Sequence, residues 1–576
     1  MRFQRSNLPG SSGSLRLRCR RAPLAAALAL CCAGFAQAAT ITVNDARGDV
    51  GNPLDGTCSL PDAIAALNTA AAFAGCAAGD GVNDRIVLSF DAATTIEFAL
   101  PAPGDNNSAL SIAKAVTIAG PLDPQRNPLV TLTRSAVSGT PNFRLIATTA
   151  DLTLYGVALS NGNVAESGGA VRATGYASLS VSNSQANTNT ASVSGGAVAV
   201  DCGALTLYRS VLSGNTASKN GGAAYVSDYS KSTSGGAPCA GSDMSIGQSS
   251  ITNNTVTVGS GGGVFSFNGG ATVTNSTISG NVTPVNGGGL YAYGKVVLTS
   301  STVSNNTGQG GDGGGVWAYT ANGSGSTISG NTAPAGRGGG IFAHDADLAN
   351  FTVSNNSAQC GAGGVQVSAD AKLAASTVAN NSSGNSECQA AGGLGANNAT
   401  VTNSTFTGNF GGNFGYGALY TNADMNLYFN TIVGNTAKPV STRAGGVAFF
   451  GTATMFANII AGNSSNDVYT FPAQTVSGGF NIVTTSNFAT LPGDTIGNCS
   501  PSASLNLGPL ADNGGPTQTM ALLPGSCAFD AGPSTLPLPG GVTTDQRGFA
   551  RPSGEMSDIG AFESQPDAIF ANGFET

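Results

Sequence analysis

The feature that most constrains this chain is a repeat of about 26 residues. A Gly-Gly pair followed by an aliphatic residue recurs at 167–171, 194–198, 220–224, 261–265, 287–291, 313–317, 338–342, 362–366, 391–395 and 444–448. Between these pairs an Asn stands three positions after an aliphatic or Phe residue, at 215, 254, 281, 306, 331, 356, 381, 409, 435 and 463. Successive Asn are 25 to 28 residues apart except for one gap of 39, which marks an insertion near 228–242. Such short alternating runs, broken by Gly and Asn on a fixed period, cannot be helices. Each period offers three short strands, enough for one turn of a solenoid. Gly supplies the positive φ of sharp corners, and an inward Asn can bond one turn to the next. The Asn column is therefore read as structural.

In a strand the side chains alternate. After each Gly-Gly-Gly the first and third residues should face the core: Val264, Leu290, Val316 and Ile341, then Ser266, Ala292, Ala318 and Ala343. The second and fourth should face out. These form two columns, Phe265, Tyr291, Trp317, Phe342 and Phe267, Tyr293, Tyr319, His344, which hold the single Trp and the single His of the chain. The flanking positions Arg172, Ala199, Gln366 and Gly395 are not aromatic. Strand and coil spacings give a platform of about 7 by 14 Å, enough for two or three stacked sugar rings. A satellite core under the 228–242 insertion is the competing reading.

A carboxylate cluster lies beside the platform: His344, Asp345 and Asp347 on one coil, Asp370 and Lys372 on the next. Two carboxylates a coil apart could serve as acid and base on a polysaccharide, or as part of a Ca²⁺ shell. Asp at a corner is more simply a turn residue. Apart from that Ca²⁺, no cofactor or metal is expected, and one His leaves no room for a multi-His centre. Asp312 and Arg337 should form a surface ion pair. A Thr column at 277, 302, 327, 352, 377, 405 and 431 reads as strand-forming residues with a mixed companion column.

Residues 16–38 have a basic n-region, an apolar stretch of about a dozen residues and Ala36-Gln37-Ala38, the pattern of an export signal. That stretch is too short to span a bilayer, and no later one is longer. Cleavage after Ala38 would remove all six basic residues of 1–38 from the 23, leaving 17 against 31 acidic ones, a net charge of −14. An acidic surface argues against nucleic acid and anionic lipid. Of eleven Cys, eight remain, an even number that fits disulfides in an exported chain. Sequence alone leaves on the order of a hundred pairings open. Neighbours in sequence are the simplest set: Cys58–Cys76, Cys202–Cys239, Cys360–Cys388 and Cys499–Cys527. The repeat supports the third pair, because Cys360 and Cys388 precede their Gly pairs on adjacent coils. Residues 60–73 predict a capping helix with Ser59 as N-cap and Asp62 completing a capping box.

The Gly-Gly-aliphatic and Phe/aliphatic-x-x-Asn pair resembles the repeat of chlamydial polymorphic outer-membrane proteins over residues 165–465, which implies a right-handed parallel β-helix. Cys58-Ser-Leu-Pro-Asp-Ala-Ile64 resembles the CSLREA motif of exported bacterial repeat proteins, with Pro61 and Asp62 in place of Arg and Glu. Residues 507–532, 544–552 and 558–563 look like a choice-of-anchor Q domain, with Cys527 where Pro is expected. The resemblance implies a place outside a bacterial cell or on its surface, and no specific chemistry.

The expectation is thus an all-β chain, a single right-handed parallel β-helix of roughly sixteen coils with a short N-terminal capping helix. Its parts are a signal peptide (1–38), an N-terminal cap (39–84), the β-helix (85–500), an anchor-Q-like C-terminal cap (501–565) knit by Arg547, Arg551 and Asp558, and a tail (566–576). The expected role is a non-catalytic, adhesin-like monomer. It would bind a polysaccharide, or a cell-surface glycan or protein, through the aromatic platform. The alternative is a polysaccharide lyase or glycoside hydrolase using Asp345, Asp347, Asp370 and His344.

Overall fold

A computed structural model describes residues 39–565 apart from 51–55, 82, 106, 228–238, 240–241, 385–387, 389, 414, 439–442, 472–475, 487–493, 497–503 and 535–537. Within them the chain winds into a right-handed parallel β-helix with sheets of 27, 16 and 10 strands. A typical coil carries four short strands rather than three: Val264–Ser266, Ala271–Thr274, Thr277–Ser279 and Val282–Thr283. The fourth is the pair of residues just after the Asn. On three coils the first two strands fuse, as Leu290–Thr299, Val316–Ser324 and Ile341–Ala349, which merges two columns into the largest sheet.

The Asn column runs up the interior. Asn281 donates from its side chain to Asn306 Oδ1 at 2.9 Å, and Asn306 to Asn331 Oδ1 at 2.9 Å. Each Oδ1 also accepts the backbone N–H of the preceding Asn, and each amide nitrogen also bonds a carbonyl such as Ile278 O. All four polar demands of a buried carboxamide are met by two coils of the same fold. A second inward column is of Ser, with Ser276 N donating to Ser301 Oγ at 3.2 Å. It continues in the later coils as Asn430, Asn458 and Asn481.

The single α-helix among the described residues is Leu60–Thr69. The expected capping box is present: Asp62 N donates to Ser59 Oγ at 3.3 Å and Ser59 N to Asp62 Oδ2 at 3.4 Å. The helix ends earlier than the predicted residue 73, because Ala70 turns left-handed at φ 52°. The chain must double back there, since Cys76 is bonded to Cys58 just before the helix. Cys202–Cys239 and Cys360–Cys388 are also bonded, at Cα separations of 5.1 and 5.5 Å. Cys527 is disulfide-bonded, while Cys499 lies outside the described residues, as do residues 1–38 and 566–576, where the signal segment and the tail are expected.

The C-terminal segment contains a hairpin, Leu507–Ala511 with Thr519–Leu522. It packs along the side of the β-helix. Gln546 spans two coils there, accepting from Thr405 Oγ1 at 2.6 Å and donating to Thr377 Oγ1 at 3.0 Å. Ala561 N donates to Thr431 Oγ1 at 3.0 Å, and Arg551 lies over the Phe429 ring at 4.5 Å. Inside the segment Arg551 donates to Asp558 O at 2.8 Å and Gly560 O at 2.9 Å, and Arg547 pairs with Asp545 at 2.7 Å.

Candidate ligand-binding face

In-register coils put equivalent side chains about one strand spacing apart, ~4.8 Å. The register of the first aromatic column is Tyr225, Phe265, Tyr291, Trp317, Phe342, so it begins one coil earlier than the sequence reading had it. Tyr225 was missed because Ala223 stands where later repeats have their third Gly. That Ala in the third-Gly place was the available signal.

The rings of this column stack on one another. Centroids are 5.6 Å apart for Tyr225–Phe265, 4.8 Å for Phe265–Tyr291, 4.3 Å for Tyr291–Trp317 and 6.2 Å for Trp317–Phe342. The Arg337 guanidinium covers Phe342 from 4.7 Å, while it pairs with Asp312 at 2.7 Å. Phe265, Tyr291 and Phe342 are buried, and burial pushes the Tyr291 phenol far above its ordinary range. The expectation that sugars stack on this column is corrected by its geometry. Planes that cross the helix axis at coil spacing use their faces on each other and leave solvent only edges. An open face, not an edge, is what a sugar ring's C–H groups stack on.

The second column differs. Tyr293 is 47% exposed and stands nearly perpendicular to its neighbours, at 80° to Tyr291, 77° to Phe265 and Phe267, and 72° to Trp317. Its ring therefore lies across the edges of the stack. The cause is local. Register shifts between Ala292 and Lys295, so Tyr293 and Gly294 together oppose Tyr319, a bulge that re-aims the side chain. A Cβ on Gly294 would meet Gly269 O at 2.5 Å, so the bulge requires glycine. An isolated Gly inside a strand pattern was its signal in the sequence.

Tyr319 is 52% exposed and stacks on His344 at 4.7 Å. Phe267 is half-buried. Of the eight expected ring positions, Tyr293, Tyr319 and His344 thus form the accessible group, with half-buried Trp317 beneath Tyr293. The 228–242 insertion, which the competing reading places over these rings, falls mostly outside the described residues.

His344 Nδ1 is 2.8 Å from Asp345 Oδ2, and that hydrogen bond holds the Asp345 carboxyl below its usual range. Asp345 Oδ1 accepts from Asp370 N at 3.3 Å, and Asp370 Oδ1 accepts from Asn398 Nδ2 at 2.8 Å. Asp347 faces Lys372 across the coils. This is an exposed, locally satisfied acidic row. A general acid needs its pKa raised, and Asp345 goes the other way. Among the described residues no group of three or more His, Cys, Asp or Glu could hold a metal ion.

An ionic network that sequence reading missed stands on the same face, nearer the N-terminus. Arg144 and Arg172 both reach Glu166 Oε2 at 2.7 Å, and Arg172 also reaches Asp201 at 3.1 Å. Arg172 shares the column of Tyr225, two coils away. Arg144 and Arg172 line a cleft of about 390 Å³, and an apolar cleft of about 630 Å³ lies beside the capping helix.

A family model described as a right-handed beta helix region matches residues 247–383. Among solved structures, the chain is similar to the pectate lyase Pel9A at 12% identity and a TM-score of 0.23, over 92% of this chain and 97% of that one. A likeness that distant says nothing of this chain's chemistry. No curated protein matches it. No helix among the described residues is long and apolar enough to cross a membrane.

Proposed function

We propose that this is an exported, non-catalytic β-helix protein that binds a glycan at the surface formed by Tyr293, Tyr319 and His344. The observation that carries the reading is the Tyr293 ring, laid across the edges of a buried stack with 47% of the residue exposed. A rigid base fixes the ring, so little side-chain freedom is lost on binding. His344 and Asp345 stand beside it as hydroxyl partners one coil beyond Tyr319. The net charge of −14 after export favours a neutral glycan over a polyanion.

A panel of neutral and acidic glycans tests this, with reducing-end release measured on every glycan that binds. Binding of neutral members without release supports the proposal. Release that disappears in Asp345→Asn would make the protein an enzyme and overturn it.

A further inference from the structure

The Thr column on the outer face of the 16-strand sheet is used in two ways. In the later coils it holds the chain's own C-terminal segment. Thr377 Oγ1 donates to Gln518 O at 2.5 Å, Thr405 Oγ1 to Gln546 Oε1 at 2.6 Å, and Thr431 Oγ1 accepts from Ala561 N at 3.0 Å. All three Thr are buried by that contact. In the four preceding coils the same column continues in strict register as Thr277, Thr302, Thr327 and Thr352. Its companion there is uniform, Ser279, Ser304, Ser329 and Ser354, where the covered coils have Ala379, Thr407 and Val433.

These eight residues are half-buried only, and their hydroxyls make no hydrogen bond within the described residues. The occupied stretch shows what the column recognises. Gln546 is the key: its carboxamide oxygen accepts from one Thr and its nitrogen donates to the Thr one coil earlier. A primary amide has its acceptor and donor side by side, so it bridges two hydroxyls held at coil spacing. Backbone groups of an extended chain, Gln518 O and Ala561 N, take the neighbouring hydroxyls. Three further pairs of the same kind, 277/302, 302/327 and 327/352, lie in continuation of this interface, uncovered by any of the described residues.

We propose that the uncovered stretch from Thr277 to Thr352 docks an extended polypeptide segment of a partner protein, whose Gln or Asn carboxamides bridge successive Thr hydroxyls as Gln546 does. The partner is recognised by side-chain amides and backbone, and its apolar content is secondary. This surface belongs to a different sheet from the aromatic face, so the two proposals fail independently.

The test uses the full chain and a fluorescein-labelled peptide with the sequence of residues 543–552, read by anisotropy. Saturable binding is expected, weakened at least tenfold by Thr302→Val with Thr327→Val and by a peptide carrying Leu for Gln546, and unchanged by Tyr293→Ala. Valine keeps the strand shape and removes only the hydroxyl. Absence of saturable binding would overturn the proposal. So would binding that is insensitive to the Thr variants, which would mean exchange with the chain's own segment. Hydrogen-exchange protection of 302–327 that vanishes when 566–576 are removed would also overturn it, by assigning the ladder to the chain's own tail.

Discussion

Asn463 donates from its side-chain amide to Asp467 Oδ1 at 2.9 Å, which ends the interior Asn ladder on a carboxylate. Asn481 ends the second ladder on Asp494 Oδ1 in the same way, also at 2.9 Å. Every rung donates toward the C-terminal coil, so the last amide presents N–H groups that only an acceptor can satisfy. Asp467 is fully buried, and besides Asn463 it accepts from Thr485 N at 2.9 Å and from Thr484 Oγ1. An Asn there would turn one acceptor into a donor facing donors.

Removing a middle rung should be costly. Asn306→Leu orphans the backbone N–H of Asn281 and one of its side-chain N–H groups, both fully buried, while Asn331 Oδ1 keeps the backbone N–H of residue 306. Each unsatisfied group costs about 1–3 kcal/mol, so a loss of at least about 2 kcal/mol is expected in urea unfolding. Asp467→Asn should cost about 1–3 kcal/mol by the same reasoning. A loss below about 1 kcal/mol for Asn306→Leu would show that the ladder is not what ties the coils together.

Stability and binding should separate within the aromatic group. Phe265→Ala opens a cavity between Tyr225 and Tyr291 and should cost about 3 kcal/mol. Tyr293→Ala removes a half-exposed ring and should cost less than about 1 kcal/mol. Gly294→Ala collides with Gly269 O and should behave like Tyr293→Ala in binding, because it displaces the bulge that aims the ring. Thermal melts beside a binding titration distinguish these outcomes.

The two ends of the molecule should respond oppositely to pH. At the N-terminal end the hydrogen bond from Arg144 holds the Glu166 carboxyl below its usual range. A depressed carboxylate stabilises the fold above its unfolded pKa, and that contribution is lost as pH falls through the folded value. At the C-terminal end burial pushes Glu563 up to about 7, against the pull of Arg551. A raised carboxyl favours the fold fully below the unfolded pKa, and that contribution is lost as pH rises through about 7. Hydrogen exchange should therefore show the coils around Arg144 loosening in acid, and residues 545–564 loosening between pH 5 and 8. Glu563→Gln should abolish the second effect; its persistence in that variant would contradict the assignment.

Disulfide mapping gives a covalent test. A non-reducing peptide map should return Cys58–Cys76, Cys202–Cys239 and Cys360–Cys388, with Cys527 linked to Cys499. Replacing Cys360 and Cys388 by Ser, which opens a bridge between residues 28 apart, should cost about 3 kcal/mol. A different partner for Cys527 would refute the pairing by sequence neighbours.

The architecture was legible because it repeats. Period, core alternation, the structural role of Asn, the capping box of Ser59 and the Cys360–Cys388 pair all follow from residue type at fixed spacing. What the sequence hid depends on orientation and on contacts distant in the chain. Which residues face outward is set by alternation, but whether a ring shows its face or its edge is set by the rotamer and by the Ala292–Lys295 bulge. The Thr column looked like plain strand residues because its partners, Gln518, Gln546 and Ala561, come more than 100 residues later. The Arg144–Glu166–Arg172 network is hidden in the sequence because Arg172 shows there only as a non-aromatic flank of the ring column, while Arg144 comes from the coil before.

The central claim, a glycan seated on Tyr293, is tested most directly through Trp317, the single Trp of the chain, which lies 5.6 Å from that ring. Titrating a neutral oligosaccharide while reading Trp317 emission should give a saturable change in the wild type. In Tyr293→Ala the change should be at least tenfold weaker in affinity, with folding intact. Saturable binding that leaves Trp317 emission unchanged and survives Tyr293→Ala would place the ligand elsewhere and contradict the account.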